Sequence, residues 1–402
     1  MAHVRKRYIR APFQELLRFS PLVGVLGHRQ VGKTTFLEGE THHYLTFDDR
    51  DVLLAAQKDP KRFISNLKQG GVLDESQLVP EIFSALKEKV RTNKRPGQVI
   101  LSGSVRFTSK KSIRESLTGR IQYLELLPLT LSELDGDPLS NKLEFLFENM
   151  DPERLLEHFS EPIGLIRNQT KKVETYRTHG GLPGVCFIRK ESLRNAKILD
   201  QLRTILDRDL RQIHPTSLSF DALFAYLSEL ALQEGAPYRY QAYKDKLGIN
   251  PLTQQKLLYA LESIFLIRRL PIEGDSKSFI VLLEDQAESH YLSEGRLSEG
   301  TQLTGMLYRN LRAEVFYRIG SQIAAFQFRN RSGSYIPLVF RKEQSFVGFL
   351  YAEGGIVDRK LKGAAGTFLK AYPNSKIIIF HNGTQLNVLD RRILFCPISV
   401  LL

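Results

Sequence analysis

A glycine-framed stretch near residue 30 has the residue types and spacing of a phosphate-binding loop, G-x-x-x-x-G-K-[ST]. It reads Gly27, His28, Arg29, Gln30, Val31, Gly32, Lys33 and Thr34, followed by Thr35. Glycines keep side chains away from a bound triphosphate, and the backbone N–H groups of such a loop form an anion-binding nest. The alternative is a glycine-rich turn whose lysine is merely solvated. Because an apolar run at 22–26 predicts a strand and 33–38 predicts a helix, we expect residues 27–35 to bind ATP.

Two acidic residues about forty positions later could complete such a site. Asp74 and Glu75 follow a short apolar run, and a predicted helix at 81–90 comes next. In this prediction Lys33 reaches the β- and γ-phosphates, and the Thr34 hydroxyl and Asp74 hold Mg2+. Glu75 would polarise the water that attacks the γ-phosphate. Asp-Glu pairs are common, so this prediction depends on the phosphate-binding loop before it.

Polar residues also follow the other predicted strands. Asp48 and Asp49 end the strand predicted at 43–47, where they could face a ligand or simply form a turn. Arg106 follows the strand predicted at 98–102, and its forked donors suit phosphate charge. Arg120 follows a helix predicted at 112–119 and precedes a strand at 121–126. It could act as an arginine finger on a neighbouring copy of the chain, or form a surface salt bridge.

Composition narrows the class of protein. The length of 402 residues predicts two to four domains, and 42% hydrophobic with 25% charged residues is typical of globular proteins. The formal net charge of +13 favours a polyanionic partner such as DNA, although basic residues are spread along the chain. No apolar run is long enough to span a membrane, and no secretory signal is apparent. Two cysteines without metal-ligand spacing indicate a reducing cytoplasm.

The remainder of the chain divides into three predicted units. Residues 130–215 have mainly helical periodicity, and a helix at 193–212 should bury Ile198, Leu199, Leu202, Ile205, Leu206 and Leu210. Helices at 220–233, 240–247 and 253–264, followed by a strand at 265–270, have the order of a winged helix. Gln254, Gln255 and Lys256 would then be exposed toward a DNA groove, unless the unit only packs against its neighbours. Residues 285–402 predict a smaller α/β unit.

The order of these motifs resembles a family of prokaryotic AAA+ ATPases with a C-terminal region of unknown function. The stretches that carry the resemblance are GHRQVGKTT, LDESQLVPEIFSAL, ILSGSVRF, SLTGR, YLELLPLTLSEL, THGGLP, ILDRDL and LLEDQAESHYL. The resemblance implies an α/β P-loop AAA+ core at 1–135, a helical lid at 136–215, a winged helix at 216–280 and a restriction-endonuclease-like domain at 281–402. It also supports Asp74 and Glu75 as the acidic pair, with Arg106 and Arg120 as phosphate-facing residues.

The chain departs from that family in its C-terminal unit. Members usually carry an acidic residue on one strand and Glu-x-Lys on the next, whereas the matching strands here read YIPLV at 335–339 and FVGFL at 346–350. No carboxylate pair remains on those strands to bind the metal that phosphodiester cleavage requires. We therefore predict a degenerate nuclease fold that has been kept for binding or docking.

The function predicted from the sequence is a Mg-ATP-driven conformational switch. Hydrolysis at the loop would move the lid and the C-terminal units, possible DNA contacts would involve the winged helix, and self-association would supply Arg120 in trans. The alternative is a scaffold that binds nucleotide together with DNA or protein and does not hydrolyse ATP.

Overall fold

A five-stranded parallel sheet organises the first part of the chain in the computed structural model, which describes residues 5–107, 117–149, 151–331 and 333–402. Its strands are β1 Leu22–Leu26, β2 Tyr44–Thr46, β3 Gly71–Asp74, β4 Val99–Gly103 and β5 Ile121–Glu125. Their spatial order is β2-β3-β4-β1-β5, and every pairing is parallel. The carboxyl ends of the strands therefore lie along one edge, where ligands of open α/β sheets bind.

Helices cover both faces of this sheet. They span Arg10–Phe19, Lys33–Glu38, Arg50–Lys58, Pro60–Asn66 and Ile82–Thr92, with a 3-10 turn at Ser76–Leu78. The central strand β1 is buried along its whole length, and its residues alternate between the two cores. Val23 and Val25 pack into one core, whereas Leu22 and Leu26 pack into the other. A continuous apolar strand is what a parallel sheet covered on both faces requires.

A helical segment follows, as its periodicity predicts. Its helices are Leu131–Asp135, Lys142–Glu148, Pro152–Phe159, Ile163–His179, Pro183–Cys186, Glu191–Thr204 and Arg211–Ile213. The helix predicted at 193–212 is present, but its C-terminal part, Ile205–Leu210, is a π-helix. Its apolar face is buried except for the half-buried Leu199. Most of the helix predicted at 112–119 lies outside the described residues.

Three helices and a hairpin occupy 220–283 in the predicted order. The helices are Phe220–Leu232, Tyr240–Leu247 and Pro251–Ser263, and the hairpin is β6 Ile267–Glu273 with β7 Asp275–Leu283. Asn250 caps the third helix as predicted, since its side chain accepts from the Thr253 N–H. The strand begins at 267 and not at 265, because Phe265 adopts φ 58°, a left-handed conformation that ends the helix. The assignment of this unit as a winged helix stays a prediction.

The prediction that Gln254 is exposed was wrong. Its side chain is fully buried, donates to the carbonyls of Tyr240 and Ile249, and accepts from the Tyr238 hydroxyl. The helix therefore turns this amide inward, where it satisfies two backbone carbonyls that would otherwise lose solvent contact. Gln255 and Lys256 are exposed as predicted.

The hairpin continues into the sheet of the C-terminal unit. Its other strands are β8 Ala324–Arg329, β9 Tyr335–Lys342, β10 Ser345–Tyr351, β11 Ser375–His381, β12 Asn387–Asp390 and β13 Ile393–Pro397. The spatial order is β12-β13-β11-β10-β9-β8-β6-β7, joined by a short parallel pairing of β6 with β8. The domain boundary predicted at 280/281 thus falls within β7, inside a continuous sheet.

Helices and a 3-10 turn accompany this second sheet. They are Gln286–Leu292, Glu299–Phe316, Glu353–Gly355, Arg359–Ala371 and Ile398–Leu401. Leu303, Met306 and Leu307 of the longest helix pack against Phe340 and Phe349 of the sheet in one apolar core. Within the part of the chain that the structure describes, no helix is both long enough and apolar enough to cross a membrane.

Candidate nucleotide site

The loop between β1 and the helix Lys33–Glu38 has the backbone shape that its glycines predict. Gly32 adopts φ 96°, which an L-residue rarely does, and the helix starts at the next residue. A Cβ atom at Gly27 would lie 2.4 Å from the carbonyl oxygen of Leu126, so no larger residue fits there without movement. Strand, glycine-framed loop and helix therefore follow one another at the carboxyl edge of the sheet.

Lys33 crosses this loop from the inside. Its side chain is buried, and its Nζ donates to the carbonyl oxygens of Gly27 and His28 at 3.0 Å each. Burial lowers the pKa of Lys33, while the carboxylates of Glu75 and Asp74 oppose that effect. An ammonium held against carbonyl dipoles in the loop is placed to exchange those contacts for phosphate oxygens.

Asp74 ends β3 directly beside the start of the loop helix. The Thr34 hydroxyl donates to Asp74 Oδ2 at 3.2 Å, and the Tyr44 hydroxyl donates to the same oxygen. A hydroxyl and a carboxylate are hard oxygen ligands of the kind that Mg2+ takes, with phosphate oxygens and water completing its octahedron. Within the described ranges no cluster of three or more His, Cys, Asp and Glu side chains could hold a metal. The Thr34 hydroxyl and the Asp74 carboxylate, side by side, fit a Mg2+ ion that is shared with a bound phosphate.

Glu75 follows in a left-handed backbone conformation, φ 52°, which is uncommon outside glycine. Burial raises the pKa of Glu75 above its usual range, although the positive charges of Lys33 and Arg29 oppose this. The Gln77 amide donates to Glu75 Oε2, and the Ser104 hydroxyl donates to the same oxygen at 3.4 Å. A carboxylate with a raised pKa, whose Oε2 accepts two hydrogen bonds, is suited to accept a proton from water.

The two predicted arginines lie apart from this group. The Arg106 guanidinium donates to Glu125 and to the Glu262 carbonyl, both at 3.2 Å, and lies 4.5 Å from the Phe265 ring centroid. It thus joins β5 to the last turn of the helix Pro251–Ser263 and to Phe265 after it. Arg120 precedes β5 at the amino end of the strands, whereas the loop lies at their carboxyl end. Its guanidinium donates to the Thr118 carbonyl at 3.0 Å. Contact with a phosphate stays a prediction for both residues.

A cavity of about 1240 Å³ opens beside the loop. Lys33, Thr34, Asp74 and Glu75 all line it, so one space contains the side chains that the sequence predicts for the phosphates and the cation. Its volume exceeds the 300–1,000 Å³ of typical small-molecule pockets. Thr35 and Asp48 also line the cavity, whereas Asp49 caps the helix Arg50–Lys58, as expected of an ordinary strand-end turn.

Some of the lining comes from residues that sequence reasoning missed. The N-terminal segment contributes Arg5, Lys6, Arg7, Tyr8 and Arg10, and the helical segment contributes Pro183, Gly184 and Phe187. Arg7 donates to the Val31 carbonyl at 2.9 Å and to Glu133 at 3.2 Å, so it fastens the N-terminal segment onto the loop. The basic run at 5–7 is visible in the sequence, but nothing local indicates that it folds back on residue 31.

Three other loop side chains turn away from the cavity or lie at its margin. Val31 is buried in the core beneath the loop, and Gln30 packs against Gly184. His28 is fully buried, and its Nε2 lies 3.3 Å from Glu288 Oε2, close enough for an ion pair but poorly aligned for a hydrogen bond. Burial alone would lower the pKa of His28, but Glu288 raises it above its ordinary value. His28 therefore joins the loop to the helix Gln286–Leu292.

Two segments of the chain are similar to known protein families. A family model described as an AAA domain matches residues 20–135, and one described as a domain of unknown function matches residues 170–273. The uncharacterized proteins Mb2031c of Mycobacterium bovis and Rv2008c of Mycobacterium tuberculosis are each 31% identical over 143 residues. The aligned segment is 35% of this chain and 32% of each relative, so this chain spans about a third of the length of these relatives.

Solved structures show more distant likeness. The Walker-type ATPase PABY2304 of Pyrococcus abyssi is 16% identical with a TM-score of 0.42, over 72% of this chain and 96% of that one. PH0952 of Pyrococcus horikoshii is described as a signal transduction ATPase with numerous domains and a tetratricopeptide repeat sensor. It is 14% identical with a TM-score of 0.27, over 76% of this chain and 44% of that one. Scores this low assign no function. The match to an AAA domain model covers residues 20–135, the part of the chain that contains the phosphate-binding motif and the five-stranded parallel sheet, so the motif, the geometry and the family match support the same P-loop fold.

Proposed function

We propose that this protein binds Mg-ATP at residues 27–35 and hydrolyses it. The observation that carries the proposal is that Lys33, Thr34, Asp74 and Glu75 line one cavity at the carboxyl edge of a parallel sheet. Loop N–H groups and Lys33 would bind the β- and γ-phosphates. Mg2+ held by Thr34 and Asp74 would supply positive charge to the phosphate oxygens. Glu75 would accept a proton from the attacking water, consistent with its raised pKa.

Phosphate release from purified protein tests this proposal. We expect the wild type to release phosphate in the presence of Mg2+, and Glu75→Gln to lose at least about a hundredfold in rate, in the range of a positioned general base. Glu81→Gln, an exposed glutamate at the start of the next helix, is the matched control and should behave as wild type. Equal, near-zero rates in wild type and Glu75→Gln, with nucleotide still bound, would favour the non-hydrolysing scaffold instead.

We further propose that hydrolysis moves a helical lid at 136–215 relative to the core. Gly184 lines the cavity beside Gln30, and a Cβ atom at Gly184 would lie 2.6 Å from the Gln30 side-chain oxygen. The loop and this segment are thus packed without spare room, so displacement of the loop would displace residues near 184. Limited proteolysis with and without a non-hydrolysable ATP analogue should give different cleavage patterns in 136–215.

DNA binding by a winged helix at 216–280 is proposed from the order of its elements and its exposed side chains. Gln255, Lys256 and Tyr259 lie on the exposed face of the third helix, and Lys244 is exposed on the second. Fluorescence anisotropy with a labelled duplex should show binding that weakens as salt rises, and weakens again in Lys256→Gln. Binding that is unchanged in that variant would remove this surface from the proposal.

We propose that the C-terminal unit is not a nuclease. A cavity of about 910 Å³ is lined by Pro337 and Tyr351 on the two strands where related nucleases carry acids or lysine. Glu353 and Asp358 also line it, but Asp358 caps the helix Arg359–Ala371 through the Leu361 N–H. Incubation with DNA and Mg2+ or Mn2+ should leave the DNA intact. Cleavage that disappears in Glu353→Gln would overturn this proposal.

Self-association and location complete the proposed function. Arg120 precedes β5 and so lies at the amino end of the strands, whereas the loop lies at their carboxyl end. It could therefore complete a nucleotide site only on a second copy of the chain. Light scattering with an ATP analogue should then show a larger particle than without nucleotide. Both cysteines are free and buried, which supports a reducing compartment such as the cytoplasm.

A further inference from the structure

Arg29, in the middle of the loop, is held by an aspartate from another part of the chain. Its Nε donates to Asp209 Oδ2 at 2.7 Å and its Nη2 donates to Asp209 Oδ1 at 3.0 Å, a bidentate pair between residues 180 positions apart. The Asp209 side chain is 5% exposed and that of Arg29 is 21% exposed. Arg29 also lines the cavity beside Lys33 and Glu75, so this guanidinium faces the space where phosphates are proposed to bind.

The charges around Arg29 show what else it can bind. The pKa of Arg29 is raised, first by its hydrogen bond to Asp209 and also by the negative charges of Glu75 and Asp48. Arg208 lies on the other side, 3.3 Å from Asp48 and 4.0 Å from Asp209. Among the residues that the structure describes, Arg29 Nη1 donates no hydrogen bond. The Arg29 guanidinium thus keeps N–H groups available at the edge of the cavity, where they can reach a further anion.

The backbone turn that carries Asp209 is itself unusual. Asp209 lies in the π-helix Ile205–Leu210, which interrupts the long helix after Thr204. Such wide turns are rare and are frequently found at functional sites. Ile205, Leu206 and Leu210 of this turn are buried, so the turn is anchored in the core while Asp209 reaches Arg29 of the loop.

We propose that Arg29 contacts the γ-phosphate of bound ATP, and that Asp209 holds the guanidinium in position when no γ-phosphate is present. This inference rests on the proposed nucleotide site and adds an arginine supplied by the loop of the same chain. A triphosphate carries more negative charge than one carboxylate and accepts forked hydrogen bonds equally well. Arg29 would then exchange Asp209 for phosphate. Release of Asp209 would connect the presence of the γ-phosphate to the helical segment that contains residues 205–210.

Binding of fluorescent ADP and a fluorescent non-hydrolysable ATP analogue tests this inference without requiring hydrolysis. In Arg29→Gln, affinity for the ATP analogue should fall about 10- to 100-fold, the range of a charge-assisted contact, while ADP affinity changes less than about threefold. In Asp209→Asn, the competing carboxylate is gone, so affinity for the ATP analogue should rise relative to ADP. Arg91→Gln, which breaks an exposed bidentate pair with Glu88, is the matched control and should leave both affinities unchanged.

A purely structural role for the pair predicts a different pattern. Arg29→Gln and Asp209→Asn would then change the affinities for the ATP analogue and ADP by the same factor, and that result would overturn the inference alone. Wild-type protein that binds neither nucleotide would refute the proposed function and this inference together. Arg29→Lys keeps the charge but lacks the fork, so the account predicts that it recovers only part of the preference for the ATP analogue.

Discussion

The buried pair His28–Glu288 allows a prediction whose size depends on pH. It joins the phosphate-binding loop to the helix Gln286–Leu292, and the two side chains are 0% and 1% exposed. Glu288→Gln removes the negative charge and retains the shape of the side chain. The Gln201 amide, which donates to Glu288 Oε1 at 3.2 Å, can donate equally to a glutamine oxygen. The substitution therefore removes the charge beside His28 with little change in shape.

The magnitude follows from what His28 does when its partner is gone. A buried hydrogen bond or ion pair to a charged group contributes about 1.5–3 kcal/mol, so we take about 2 kcal/mol for this one. The loss stays below the 3–5 kcal/mol typical of a broken buried pair, because His28 can release its proton instead of remaining as an unpaired charge. For a cooperative unit of roughly 150–250 residues, about 2 kcal/mol lowers Tm by about 4–8 °C.

The sign with pH is fixed by the direction of the pKa shift. Because Glu288 raises the pKa of His28 in the folded protein, the pair contributes fully below the unfolded value of 6.5. Its contribution is lost as pH rises through the folded pKa of His28. The Tm difference between wild type and Glu288→Gln should thus be about 4–8 °C at pH 6.5 and under about 2 °C at pH 9.5.

Differential scanning calorimetry at these two pH values measures the effect. Glu15→Gln, an exposed glutamate, is the control and should leave Tm unchanged at both. Combining Glu288→Gln with His28→Gln gives a double-mutant cycle, whose coupling energy should be large at pH 6.5 and close to zero at pH 9.5. If Glu288→Gln lowers Tm by the same amount at both values, the pair is not ionic and the reasoning fails.

Other substitutions have expected effects that follow from single contacts. Burial, and next the charge of Glu288, raise the pKa of Asp285 from 3.8 to about 6. Because the folded protein holds the Asp285 proton more tightly than the unfolded chain does, this stabilisation is complete below pH about 4 and is lost as pH rises through about 6. The free energy of unfolding of the wild type, measured with urea, should therefore fall by about 3 kcal/mol relative to that of Asp285→Asn between pH 4 and pH 7. Gly32→Ala forces alanine to φ 96°, so it should cost about 1–3 kcal/mol and weaken ATP-analogue binding, whereas Gly363→Ala, in an exposed helix, should be neutral or stabilising.

The phosphate-binding loop and the acidic residue beside it could be predicted from the sequence because they depend on short-range patterns. Gly27, Gly32, Lys33 and Thr34 are neighbours in the chain, and their spacing is tied to the backbone shape of one loop. Asp74 lies at the end of the strand Gly71–Asp74, and strand ends of a parallel sheet meet at one edge. Local patterns therefore sufficed to predict that Thr34 and Asp74 lie together, and in the structure the Thr34 hydroxyl is 3.2 Å from Asp74 Oδ2.

What could not be predicted depends on partners distant in the chain. Nothing near His28 or Arg29 indicates that Glu288 and Asp209 approach them, since no periodicity relates residues so far apart. The burial of Gln254 likewise depends on Tyr238, which lies outside its helix. The π-helix at 205–210 has the same apolar pattern as the α-helix predicted there, because both can bury one face. The pairing of β6 with β8 was also invisible, since it joins two units that were predicted separately.

The proposed hydrolysis of ATP, and the movements proposed to follow from it, require that the loop at 27–35 bind the triphosphate of Mg-ATP. Isothermal titration calorimetry with a non-hydrolysable ATP analogue and Mg2+ tests it most directly. We expect saturable binding of one nucleotide per chain in the wild type and its loss in Lys33→Ala. Lys244→Ala, which changes an exposed lysine elsewhere, should bind as the wild type does. Wild-type protein that gives no binding heat, or Lys33→Ala that binds as tightly as wild type, would contradict the account.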